Sequence, residues 1–145
     1  MEASVFELIL ARVEALLRAG PTAAGPNVFR GRDDAFRADE LPALNIRRAN
    51  TAGEVIGNIG ERHVSEFEID HLARGAGWET AADALHMQVH ALLLADTTLA
   101  GKGRGLRCTG TEPQSDSADQ LAGRIKARYQ MQVLVRPGDL TQSAT

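Results

Sequence analysis

From Leu121 to Arg136 apolar and polar residues alternate. Leu121, Gly123, Ile125, Ala127, Tyr129, Met131, Val133 and Val135 hold the odd positions, while Arg124, Lys126, Arg128, Gln130, Gln132 and Arg136 are among the even ones. A period of two marks a strand with one buried face, whereas a helix would spread those charges around its circumference. A second alternating run, 61–74, puts Val64, Glu66, Glu68 and Asp70 on one face and Phe67, Ile69 and His71 on the other. Leu44 and Ile46 share a face of a shorter strand over 43–49, with Pro42, which cannot donate to a ladder, at its start. Together 43–49 and 61–73 predict a hairpin. Its long tip, 50–60, is rich in glycine yet carries Val55, Ile56 and Ile59, so it is either folded on its own core or an arm reaching another subunit.

Two stretches follow the helical period instead. Phe6, Ile9, Leu10, Val13, Leu16 and Leu17 form one stripe within 4–19, opened by a Ser4/Glu7 capping box and stopped by Gly20-Pro21. Ala82, Leu85, Val89, Leu92 and Leu93 form another up to Ala95, with Thr80 and Asp83 as a second capping box and Trp78 closing over the cap. Between these lie a short apolar run at Val28–Arg30, a mixed-charge segment 30–40 that reads as an exposed connection, and a short strand over 106–111 followed by a polar turn, 113–119. Residues 138–145 read as a frayed C-terminal tail. Helix, strands, helix, strands predicts one α+β domain over 1–145, a mostly antiparallel or mixed β-sheet with both amphipathic helices packed on one face.

Composition narrows the function more than the fold. At 145 residues the chain can bury a core without metal or disulfide support, and its net charge of -3 supplies no field to collect phosphates. Aromatic residues are only 4% of the chain, too few for a base-stacking platform, so nucleic-acid recognition is not expected. The lone Cys108 cannot form an internal disulfide, and beside Leu106 it reads as a buried thiol. Glu2 and Glu7 interrupt any leader-like N-terminus, and no run of eighteen apolar residues is present to span a membrane.

Candidate chemistry is sparse. His86 and His90 stand four apart on one helix, a spacing that suits either two helix-flank histidines or a metal pair completed by His63, His71 or a distant carboxylate. The sequence between them, MQV, lacks the glutamate of a zinc hydrolase motif. Gly101-Lys102-Gly103-Arg104-Gly105 follows a helix and precedes a strand, the reverse of a phosphate loop, so its glycines serve a mobile connection. No nucleophile elbow is present. No catalytic residue, metal or cofactor is assigned.

The remaining constellation is electrostatic. Arg124, Lys126 and Arg128 share one strand face, and Glu66, Glu68 and Asp70 share another. As neighbours these strands would neutralise each other by cross-strand pairing; apart, each face would be free to meet its opposite on another copy and close a ring.

An ordered series of segments resembles the phage tail terminator proteins, the minor tail protein U family of lambda-like siphophages. It comprises the opening helix and VFRG, then ELPALNI, ERHVSEFEIDHLARG, the helix end ALLLADTTLAG, LRCTGTE and the long last strand, covering about residues 4–137. The resemblance implies a structural virion protein without an active site. It would form a homo-oligomeric, hexameric ring on the completed tail tube, stop tube polymerisation and give a head-completion protein its docking surface. Such a protein assembles in the host cytoplasm and ends at the head-proximal end of the tail, encoded by a phage or prophage. Arg124, Lys126, Arg128, Glu66, Glu68, Asp70, Val55, Ile56 and Ile59 are then the candidate subunit interface. Two other readings stand beside it: a head-completion or connector protein at the same joint, and a small metal-dependent enzyme using His86 and His90.

Overall fold

The computed structural model describes residues 3–56, 60–116, 122–136 and 138–143. Helix α1 spans Val5–Ala19 and α2 spans Trp78–Leu94; the strands are β1 Val28–Arg30, β2 Ala43–Ile56, β3 Gly60–Arg74, β4 Arg104–Ser115, β5 Ala122–Arg136 and β6 Asp139–Ser143. The sheet runs β1-β2-β3-β5-β4, with β6 beside β5; β1 is parallel to β2 and every other pair is antiparallel. The chain is an α+β fold with a mixed sheet and two helices.

The alternation of β5 places Ala127, Tyr129, Met131, Val133 and Val135 in the core, each at most 1% exposed. Phe67 of β3 faces Tyr129 across the ladder, and their rings stack at 5.5 Å. Both helices lay apolar stripes on this side, Ile9, Val13 and Leu17 from α1 and Leu85, Val89 and Leu93 from α2, all 0% exposed and joined in one cluster. Each such side chain contributes about 1.5–3 kcal/mol relative to exposure.

Local signals hold in part. Ser4 caps α1 by accepting from the Glu7 N–H, but the Glu7 carboxylate accepts from Arg30 at 3.1 Å. An arginine from β1 thus takes the acid that a capping box would turn back on the cap. Helix α2 starts at Trp78 rather than after Thr80, with Gly77 at its cap and no side-chain capping bond. The indole is buried in the first turn, packed with Ala73, Ala82 and Ile125, so tertiary burial extends the helix beyond its polar signal.

Three expectations are corrected. The hairpin has no long tip: β2 and β3 pair out to Ile56–Gly60, and one glycine of the supposed tip, Gly53, gives room for the His63 ring, which lies 2.5 Å from where a Cβ would stand. The 113–119 turn starts later, because Pro113 lies within β4; a strand paired only to β5 on this path tolerates a residue with no N–H. The tail is not frayed over 139–143, where β6 pairs with β5; Asp139 accepts from the Thr141 N–H and hydroxyl to shape its start. Segment 30–40 is exposed along most of its length, as expected, and it is held in place by one arginine. The Arg32 guanidinium lies 4.8 Å from the Phe29 ring and 4.2 Å from that of Phe36, and it grips Glu40 at 2.6 and 2.9 Å. Arg32 and the buried Asn45 also exchange hydrogen bonds, the Arg32 N–H donating to Oδ1 and the Asn45 amide to the Arg32 carbonyl.

Candidate assembly surface

The charged residues singled out by alternation lie on the face of the sheet away from the helices, and β3 and β5 are neighbours. Glu68 is opposite Arg128, Asp70 opposite Lys126 and Glu66 opposite Gln130. Arg128 Nε reaches Glu68 Oε2 at 3.0 Å and Lys126 Nζ approaches the same oxygen at 3.9 Å. Asp70 turns from its register partner to two arginines, Arg47 of β2 and Arg124 of β5, each 3.5 Å from Oδ2. The two faces therefore neutralise each other within one copy. They are not two separate surfaces of opposite sign.

Asp70 is unlike the others. At 1% exposure it is buried under its arginines, and its Oδ1 has no hydrogen-bond partner. Such a carboxylate is tolerable only while cations compensate it. Arg47 reaches onward to Asp33 at 2.7 Å, and this bond, ahead of the Asp70 charge, raises the pKa of its guanidinium. Asp70 thus ties the 31–41 segment to the sheet through Arg47.

Beside this ladder a cleft of about 420 Å³ opens between that segment and the ends of β3, β4 and β5. Arg32, Arg47 and Arg124 in its wall are each engaged by a carboxylate. Glu40 is held down to about 2 by the hydrogen bond from Arg32 and by the Arg37 backbone. Cations so engaged do not make an anion grip. Val55 and Ile56 end β2, opposite Glu61 and Gly60, and Ile59 lies outside the described residues.

No family model and no curated protein matches the chain. A chain in the virion of a native gene transfer agent (GTA) particle has a similar fold, with a TM-score of 0.55 and 18% identity over 90% of this chain and 92% of that one. The fold is shared almost end to end.

On the helix side, His86 and His90 do come together, though around a phenol. His86 Nε2 and His90 Nδ1 each lie 3.1 Å from the Tyr129 hydroxyl. Among the described residues no group of three or more His, Cys, Asp and Glu side chains is placed to hold a metal ion. Burial lowers His86, with His90 adding repulsion, and raises the Tyr129 phenol. Cys108 is half-buried on β4 opposite Tyr129, its Sγ 3.6 Å from the Gly110 carbonyl. The 96–105 connection is tied down by Asp96, which accepts from the N–H groups of Thr98 and Ala100. No helix among the described residues is long and apolar enough to cross a membrane.

The Arg32 clamp escaped sequence reading, and the His71–His86–His90–Tyr129 cluster was met only in part, without Tyr129. The second had a signal: Tyr129 and His71 sit on the inward faces of their alternating strands, under the helix that carries the other two.

Proposed function

We propose that the chain is a structural component of a phage-like particle, acting as a tail terminator. In this reading copies form a hexameric ring on the completed tail tube, halt addition of tube subunits and present the surface on which a head-completion protein docks. No substrate is turned over. The protein assembles in the host cytoplasm and remains at the head-proximal end of the tail.

The observation carrying this reading is the fold similarity to a chain of a gene transfer agent virion, spanning at least nine-tenths of both chains. The ordered segments that resemble minor tail protein U point the same way. Ion pairs closed within the subunit turn attention from the charged ladder to the β2–β3 hairpin end, with Val55, Ile56 and Ile59, as the contact to the next copy. The charged residues Glu66, Glu68, Asp70, Arg124, Lys126 and Arg128 then shape that face without supplying the attraction between subunits.

Deleting the gene tests the role. A terminator's loss yields overlong tails under the electron microscope. Tails of normal length beside unjoined heads would instead make the protein a connector, and unchanged particles would remove it from the virion altogether.

A further inference from the structure

Helix α2 lies across β3 and β5, and most of what it buries there is apolar. One part of the contact is not. Tyr129 of β5 and His71 of β3, both 0% exposed, meet His86 and His90 of α2. The His86 ring stands 4.9 Å from that of His71 and 5.7 Å from that of His90, centroid to centroid.

Hydrogen positions limit which protonation states fit. The phenol has one hydrogen, so with an imidazole nitrogen 3.1 Å away on either side it donates to one and accepts from the other. The nitrogen that receives the phenol hydrogen must be bare. Adding a proton there leaves two N–H groups and an O–H around one oxygen, and the hydroxyl hydrogen without an acceptor. His71 is constrained separately. Its Nδ1 lies 2.9 Å from the Ile125 carbonyl, which can only accept, so Nδ1 carries the hydrogen. Nε2 is then bare, buried and without a partner. A proton at that nitrogen puts a charge where no water reaches.

The groups facing the cluster compensate such a charge only in part. Asp83, on α2 itself, favours a charged His86 but is outweighed by burial and by His90, and Cys108 on β4 stands beside Tyr129. At His71 the nearest titratable influence is His86, which opposes a second cation.

We infer that His71, His86, His90 and Tyr129 form a proton-operated latch: neutral imidazoles hold α2 on the sheet, and acidification releases α2 while β3 and β5 stay paired. Release would uncover the apolar stripe of Leu85, Val89 and Leu93 and the sheet surface around Phe67. The sign follows from linkage. Burial holds His71 at about 3, against 6.5 for a free imidazole, so above 6.5 open and closed forms are both neutral and pH has no effect. Below it, each imidazole that protonates only when open favours opening about tenfold per pH unit.

Hydrogen exchange on the full chain at about pH 7.5 and about pH 5.5, corrected for intrinsic exchange, tests this. We expect α2 amides at about pH 5.5 to exchange through an opening that costs less free energy than that of β3 and β5 amides, its constant about tenfold above the value at about pH 7.5 for one imidazole. An unchanged α2, or α2 amides that exchange only through the same opening as the sheet, overturns the latch. His71→Phe fills the site with a ring that takes no proton and should remove most of the response; a variant that responds like the parent overturns the assignment. Should H71F not fold, NMR titration of the imidazoles in the unaltered chain decides. His71 should stay neutral where free imidazole charges, and titration of all three near the ordinary value sinks the proposal.

Discussion

Glu68 and Arg128 face one another in the β3–β5 register and meet at 3.0 Å, so the opposite charges that alternation places on two strands meet inside one subunit. Arg128 is 59% exposed on its side chain, and a pair this open to water contributes under about 1 kcal/mol. Replacing either residue with alanine should shift the urea midpoint only slightly. Under the proposed assembly, a ring should keep its mass in light scattering from low salt to about 0.5 M, because charges closed within a subunit leave little attraction for another copy. Dissociation by salt would return them to the interface.

Asp70 should behave differently. Its carboxylate is buried and shared by Arg47 and Arg124, so Asp70→Ala removes the charge between them and leaves Arg47 to Asp33 and Arg124 to the neutral Gln114. We expect a loss of about 1–3 kcal/mol in urea unfolding, with Asp70→Asn falling between alanine and the parent. Equal effects of D70A and Glu68→Ala would contradict the distinction.

Gly123 is required by contact. A Cβ there would meet the Trp78 indole at 2.6 Å, and the indole cannot yield because Ala73, Ala82 and Ile125 surround it. Gly123→Val should cost about 1–3 kcal/mol and lower Tm by several degrees. The change in Trp78 fluorescence should accompany it, since the strain falls on that ring.

Acid should destabilise the whole fold as well as α2. His71 is held at about 3, below the 6.5 of an unfolded imidazole, so the unfolded chain binds the proton first as pH falls. Stability is flat through this group above 6.5 and declines below it, by about 1.4 kcal/mol per pH unit until about 3. Urea unfolding at about pH 7.5 and about pH 5 should differ by roughly 2 kcal/mol from this residue, and H71F should lose that difference.

The long strands were legible because β5 and β3 each bury one face, which writes a period of two into the sequence. Pairing partners were not: that Arg128 meets Glu68 depends on β3 and β5 being adjacent, and nothing in either strand states its neighbour. Helix α2 was found from its apolar spacing, yet its start was misplaced, since burial of Trp78 outweighs the Thr80 signal. The histidine cluster was half legible. The spacing of His86 and His90 showed that they share a helix face, but that Tyr129 and His71 lie under that face is a property of the assembled layers. Segment 30–40 was read correctly as exposed, but its clamp was not legible; only the fold brings Phe29, Phe36 and Glu40 around one guanidinium.

That clamp gives the last prediction. Arg32 lies against two rings that meet edge-on, grips Glu40 with two nitrogens and donates a third bond, at 2.7 Å, to the Ala35 carbonyl. Lysine has neither the planar face nor the fork, so Arg32→Lys should resemble Arg32→Ala rather than the parent. Both should expose residues 33–40 to limited proteolysis at least several-fold faster, because the segment's other ties, Asn45 to the Arg32 backbone and Arg47 to Asp33, hold only its first residues. The core is remote from the change, so urea unfolding should move by no more than about 1–2 kcal/mol. Proteolysis unchanged in R32K would mean that charge alone holds the segment, with the contacts to the Phe29 and Phe36 rings contributing nothing.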